Sequence, residues 1–111
     1  MNINEFNQRR NELNRLMQEN DAFFQQFGDL DDEVYSDGAI PKKYKELIGL
    51  AISVLSRCED CVLYHIQNCI TEGATKIELV EATKLGVIGG GSITYPTARF
   101  AFNMMKDMNI L

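Results

Sequence analysis

Apolar residues recur along the chain at intervals of three and four, in blocks separated by Gly, Pro and short polar residues, and period-two alternation is nearly absent. The pattern predicts an all-α fold, a bundle of about six helices. From Asn4 to about Asn20 only Phe6, Leu13, Leu16 and Met17 form a stripe, which describes a solvated helix with a narrow apolar edge. Asp21 is placed to cap a second helix through Phe23, Phe24, Phe27, Leu30, Val34 and Tyr35, ending at Asp37-Gly38, with Gly28 weakening its middle. Pro41 stands at the first position of a third helix. Tyr44, Leu47, Ile48, Leu50, Ala51, Ile52, Val54 and Leu55 make it apolar around most of its circumference, as expected of a central core helix.

Ser56-Arg57-Cys58-Glu59 has the spacing of a capping box, so a fourth helix is expected to start at Ser56 and to end at Gly73. Thr75-Lys76-Ile77-Glu78 repeats the box and opens a fifth helix, which Gly89-Gly90-Gly91-Ser92 should break. Those glycines lack the preceding strand and the lysine of a phosphate-binding loop and read as a turn between helices. Pro96 helps start a last helix, whose Met104, Met105 and Met108 belong to the core or to a subunit contact. No long linker interrupts the sequence, so residues 1–111 are expected to form one domain, with 1–20 as an N-terminal helical extension.

Composition narrows the function classes. Eleven Lys and Arg against sixteen Asp and Glu leave a net charge of −5, which disfavours a nucleic-acid surface because such surfaces rest on clustered cations. No stretch approaches the roughly 18 uninterrupted apolar residues of a membrane span. The first residues lack the basic start and apolar run of a signal peptide, so a cytoplasmic, thiol-reducing setting is expected. The domain is short, and self-association would help it bury apolar surface. Three cysteines, an odd number, exclude a framework built only of internal disulfides.

Two of those cysteines, Cys58 and Cys61, share a helix face with His65, the only histidine: at 100° per residue the three fall within about 60° of one another. A helix N-terminus and a neighbouring imidazole both favour the thiolate, and His65, one turn beyond Cys61, is placed to take its proton. Glu59 and Asp60 oppose thiolate formation, and Arg57 offsets them in part. If the helices flanking Ser56 fold back on each other, Glu46 and His65 lie about 15 and 13.5 Å from the turn along their axes, nearly level. A carboxylate opposite an imidazole orients the ring and raises its basicity. Cys69 is too far along the helix, about 16 Å from Cys58, to complete a zinc site with this group, and reads as a small buried apolar residue.

Glu46, Cys58, Cys61 and His65 reproduce a Glu-x11-Cys-x2-Cys-x3-His signature, and the chain resembles the alkyl hydroperoxidase D and carboxymuconolactone decarboxylase superfamily. The similarity extends over roughly residues 20 to 105 and includes Asp37-Gly38-Ala39-Ile40-Pro41, Glu72-Gly73-Ala74-Thr75 and Gly89-Gly90-Gly91. The resemblance implies a helical subunit that assembles as a homotrimer or homohexamer and reduces hydroperoxides. It implies Cys61 as the peroxidatic thiol, Cys58 as the resolving thiol, His65 as base and Glu46 as its partner. It also implies no bound metal or organic cofactor, and an external dithiol of lipoyl or thioredoxin type as reductant. The decarboxylase branch lacks the cysteine pair. Two alternatives stay open: acid–base chemistry by His65 and Glu46 with incidental thiols, and a redox-sensing adaptor without turnover.

Overall fold

The computed structural model describes residues 2–111. Six α-helices follow in order, α1 (Ile3–Asn20), α2 (Ala22–Val34), α3 (Lys42–Leu55), α4 (Glu59–Thr71), α5 (Lys76–Gly90) and α6 (Tyr95–Asp107), with a 3₁₀ turn at Ser92–Thr94 before the last. There is no strand among the described residues, as the sequence pattern predicts. No helix among them is long and apolar enough to cross a membrane. The chain divides into two compact units, the first ending at Ser36 and the second spanning Asp37–Leu111.

In the first unit Asp21 separates α1 from α2. Its own N–H closes α1 on the Met17 carbonyl, and its carboxylate accepts from the Phe23 N–H at 2.9 Å. Neither helix contains a fully buried residue, and Phe23, Phe27, Leu30 and Val34 leave an exposed apolar row on α2. The end of α2 falls at Val34, earlier than the expected Asp37-Gly38, because the Ser36 hydroxyl donates to the Glu33 carbonyl and turns the chain.

Asp37 serves the next helix instead. Pro41 is the residue before α3, not its first position, and has no side-chain hydrogen bond to offer the helix start. The Asp37 carboxylate does this from four residues further back, accepting from the Lys42 N–H at 2.6 Å.

The junction between α3 and α4 corrects the reading of Ser56 as a cap. Ser56 ends α3, and its hydroxyl donates backward to the Ile52 carbonyl. Arg57 takes a left-handed backbone, φ 58°. The Arg57 N–H then reaches the Val54 carbonyl and the Cys58 N–H reaches the Ser53 carbonyl, the paired bonds of a Schellman helix end. The Ser-x-x-Glu spacing is therefore spent on closing one helix, and Cys58 opens the next. Gly73 and the Thr75–Glu78 box behave as expected: the Glu78 N–H donates to Thr75 Oγ1 at 3.2 Å, and the Thr75 N–H to Glu78 Oε1 at 2.9 Å.

The glycine run breaks α5 later than expected, at Gly91 (φ 80°). Gly90 is still helical, and its lack of a side chain serves packing: a Cβ on it would stand 2.5 Å from Thr94 Cγ2.

In the second unit α3 packs against α4 and α5, and α4 against α6. Leu50, Val54, Val62, Leu63, Ile66, Leu79, Met104 and Met105 are fully buried between them. Although α3 is central in this sense, only one side of it is covered. Its Tyr44, Ile48, Ile52 and Leu55 are about half exposed and, with Leu85 of α5, line an open apolar groove of about 460 Å³.

Candidate active site

The buried sides of α3 and α4 meet at a carboxylate. Glu46 sits one turn into α3 on the core side and is 1% exposed. Its Oε1 lies 2.7 Å from His65 Nδ1, and Asn68 Nδ2 donates to the same oxygen at 3.4 Å. Its Oε2 accepts from Lys42 Nζ at 2.8 Å. Burial pushes the Glu46 carboxyl toward its neutral form, but hydrogen bonds and charge from Lys42 and His65 outweigh this and hold it below the ordinary carboxylate range. An ionised carboxylate has no proton to donate, so the proton between Glu46 and His65 is carried by Nδ1. That tautomer leaves the ring's lone pair on Nε2, the nitrogen able to act as base.

Gly49, one turn after Glu46, is where the imidazole crosses α3. A Cβ at this position would come within 2.6 Å of His65 Cε1 and Nδ1. The ring of Tyr64 stands edge-on to the imidazole with centroids 5.1 Å apart. Ser53 is buried as well, its hydroxyl donating to the Gly49 carbonyl at 2.6 Å.

Cys58 and Cys61 are joined as a disulfide, with Cα atoms 5.2 Å apart. Because α4 begins at Glu59, the pair sits closer to the helix start than a helix beginning at Ser56 would put it. Cys58 is the cap itself, its Sγ accepting from the Cys61 N–H at 3.2 Å, and Cys61 lies in the first turn. Negative charge on either sulfur would be stabilised there by the helix dipole and the N–H groups of the first turn. Cys58 is half-buried and Cys61 exposed, while His65 follows one turn deeper, buried. Glu59 and Asp60 occupy the same first turn, both exposed. Cys69 is fully buried and unpaired by any disulfide; burial, with Glu46 and Glu78 nearby, pushes its thiol up to about 12.

The structure thus brings together Glu46 and His65 across two helices and joins Cys58 to Cys61 at the end of one of them. Lys42, Gly49 and Asn68 also belong to the site, and the reading of the sequence did not single them out. Lys42 had a signal in its i,i+4 spacing to Glu46, and Gly49 in being a glycine inside an otherwise strong helix. Asn68 had none.

A buried Glu–His pair on two packed helices of an all-α unit, one turn beyond a Cys-x-x-Cys disulfide, describes a helical protein with a disulfide-forming cysteine pair at a helix start. The model of the carboxymuconolactone decarboxylase family matches residues 21–106, and the chain belongs to that family. The fold is similar to that of a Thermotoga maritima protein at 36% identity, with a TM-score of 0.91 and 95% of this chain covering 93% of that one. A second structure of the Thermotoga protein, described as a carboxymuconolactone decarboxylase family member suggested to take part in an antioxidative response, gives 0.89 with 95% and 90% covered, again at 36% identity. A family member from Legionella pneumophila, in its apo form, is 28% identical with a TM-score of 0.78, covering 94% of this chain and 90% of that one. Among curated sequences, an uncharacterized protein of Cupriavidus necator is 33% identical over 75 residues, which is 68% of this chain and 64% of that protein's length.

Proposed function

We propose that the chain is a thiol-dependent peroxidase that reduces hydroperoxides through a Cys58–Cys61 disulfide cycle. The observation that carries this reading is the 2.7 Å contact of buried His65 with Glu46, one helical turn behind a Cys-x-x-Cys pair at a helix start. The antioxidative setting suggested for the Thermotoga relative supports it.

In the cycle His65 Nε2 takes the Cys61 proton, directly or through water, and Glu46 holds Nδ1 and stabilises the resulting imidazolium. The thiolate attacks the terminal oxygen of the hydroperoxide. The S–O bond forms as the O–O bond breaks, Cys61 becomes a sulfenic acid, and the alcohol leaves with the proton returned by His65. Cys58 then attacks the Cys61 sulfur, forming the disulfide and releasing water. An external dithiol of lipoyl or thioredoxin type reduces the pair by exchange and is itself oxidised. The exposure of Cys61 suits both the approach of peroxide and that of a reductant. No metal or organic cofactor takes part in these steps.

We further propose a homotrimer or homohexamer in a cytoplasmic, thiol-reducing setting. Leu85, Ile88 and Phe102 support the assembly: they stay exposed and line one open groove, and a subunit contact there would take them out of water. The functional reading is tested by peroxide consumption with a dithiol reductant. Cys61→Ser is expected to lose essentially all turnover, and one equivalent of peroxide to convert reduced protein to the Cys58–Cys61 disulfide, mapped by mass spectrometry. Peroxide consumption by Cys61→Ser at the wild-type rate would sink it.

A further inference from the structure

Glu46 divides its two oxygens. Oε1 faces His65 and Asn68, and Oε2 faces Lys42 Nζ at 2.8 Å. We infer that Lys42 is a positioning residue of the site: by holding Oε2 it keeps the buried carboxylate charged and oriented while the imidazole is neutral, and so sets the pH range in which His65 serves as base. This inference rests on the peroxidase reading of the same residues.

A base must be neutral before it accepts a proton. In that state the imidazole gives Glu46 a hydrogen bond but no positive charge, and the Asn68 amide none either. Among the described residues hydrogen-bonded to Glu46, Lys42 alone carries a permanent positive charge. A carboxylate that is 1% exposed and lacks a cation takes up a proton instead of staying ionised.

The placement of Lys42 is not accounted for by helix formation. It is the first residue of α3, where the dipole disfavours cations, and a Lys preceding a Glu by four is the less favourable order for such a pair. Its backbone N–H is tied to Asp37, which fixes where its side chain starts. Its neighbour Lys43 pairs with Glu78 and reaches a different carboxylate. Around this centre, Tyr64 of α4 and Glu72 just after it act on Lys42, and Cys69 of α4 lies near both Glu46 and Glu78 of α5. None of these groups offers a positive charge to replace it.

Removing the Lys42 charge has one sign whichever way the proton is drawn. If Glu46 stays ionised, its uncompensated charge favours the imidazolium; if it does not, the carboxyl itself holds the proton. Either way the Glu46–His65 pair binds its proton at higher pH. The test follows the imidazole Cε1–H resonance of reduced, tag-free protein by proton NMR across pH, which is unambiguous because the chain has one histidine. It compares wild type with Lys42→Met, Lys42→Gln and Lys42→Arg, all checked for helix content, and measures peroxide reduction over the same range. In Lys42→Met and Lys42→Gln the titration midpoint and the acid limb of the rate profile are expected to move up together, on the order of half a pH unit for a partly screened charge. Lys42→Arg, which keeps a cation in reach, should stay at the wild-type position. Unmoved midpoints in the neutral variants, or the same displacement in Lys42→Arg, would overturn the inference. The NMR midpoint needs no turnover, so a displaced midpoint alongside unimpaired Cys61→Ser would defeat the peroxidase reading while leaving the coupling of Lys42 to the pair intact.

Discussion

Gly49 lies against the imidazole of His65 so closely that a Cβ at this position would stand 2.6 Å from Cε1 and Nδ1 and 2.9 Å from Nε2. The glycine lets α3 and α4 approach until Glu46, one turn earlier on α3, meets the same ring. Gly49→Ala would raise intrinsic helix propensity by about 1 kcal/mol, yet overpacking in a tight interior costs about 1–3 kcal/mol. The expected result is net destabilisation in urea together with a loss of peroxide-reducing rate of roughly tenfold, because the ring must move off Glu46. An alanine variant as stable and as active as wild type would show that the ring has room to spare.

Glu46 ties stability to pH. Its carboxyl is held below the ordinary value of 4.5 in the folded chain by Lys42 and His65, against the effect of burial. A lowered folded value contributes stability that is fully present above the unfolded carboxylate range and disappears as pH falls through the folded value. Urea midpoints of wild type and Glu46→Gln measured from pH 7 downward should therefore differ most near neutrality and converge in acid. At neutral pH the variant should be weaker by about 1–3 kcal/mol, the usual cost of leaving buried polar partners unmatched. A gap that widened on acidification would contradict this assignment.

Cys58 and Cys61 should fail in different ways. With Cys58→Ser the first encounter with peroxide still oxidises Cys61, but no resolving thiol follows. Rapid mixing should show about one equivalent consumed and then arrest, and a sulfenic acid at Cys61 that a dione reagent traps. Continued turnover at the wild-type rate would mean that Cys58 is not the resolving group.

Cys69 should be silent. A thiol buried in the core and pushed up to about 12 presents almost no thiolate at pH 8. Iodoacetamide on the reduced native protein is expected to label Cys58 and Cys61 and spare Cys69, which reacts once urea unfolds the chain. Cys69→Val should keep the fold, whereas a charged residue there would not. Labelling of all three thiols at equal rates would show that the core opens more readily than its packing indicates.

Much of this arrangement was legible along the chain. The apolar spacing defines the helices, and the fixed rise of a helix makes Glu46 and His65 level once α3 and α4 fold back. Local hydrogen-bonding patterns were harder to read, because one set of residues can satisfy more than one motif. Ser56 and Glu59 have capping-box spacing, yet Arg57 in a left-handed turn puts the same segment to use as a helix end, leaving Cys58 as the cap. Asp37 looked like the end of α2 and instead caps α3 across Pro41.

The order of residues was enough to specify an all-helical chain, a thiol pair at a helix start and a carboxylate in register with an imidazole, since each depends only on the helical period and on near neighbours. It could not specify that Glu46 is almost wholly buried, that its second oxygen is held by Lys42, that Gly49 is the floor beneath His65, or that one side of the apolar helix α3 remains uncovered. Those properties depend on which helix faces meet and how closely. Packing among distant segments sets that distance, and no spacing within one segment contains it.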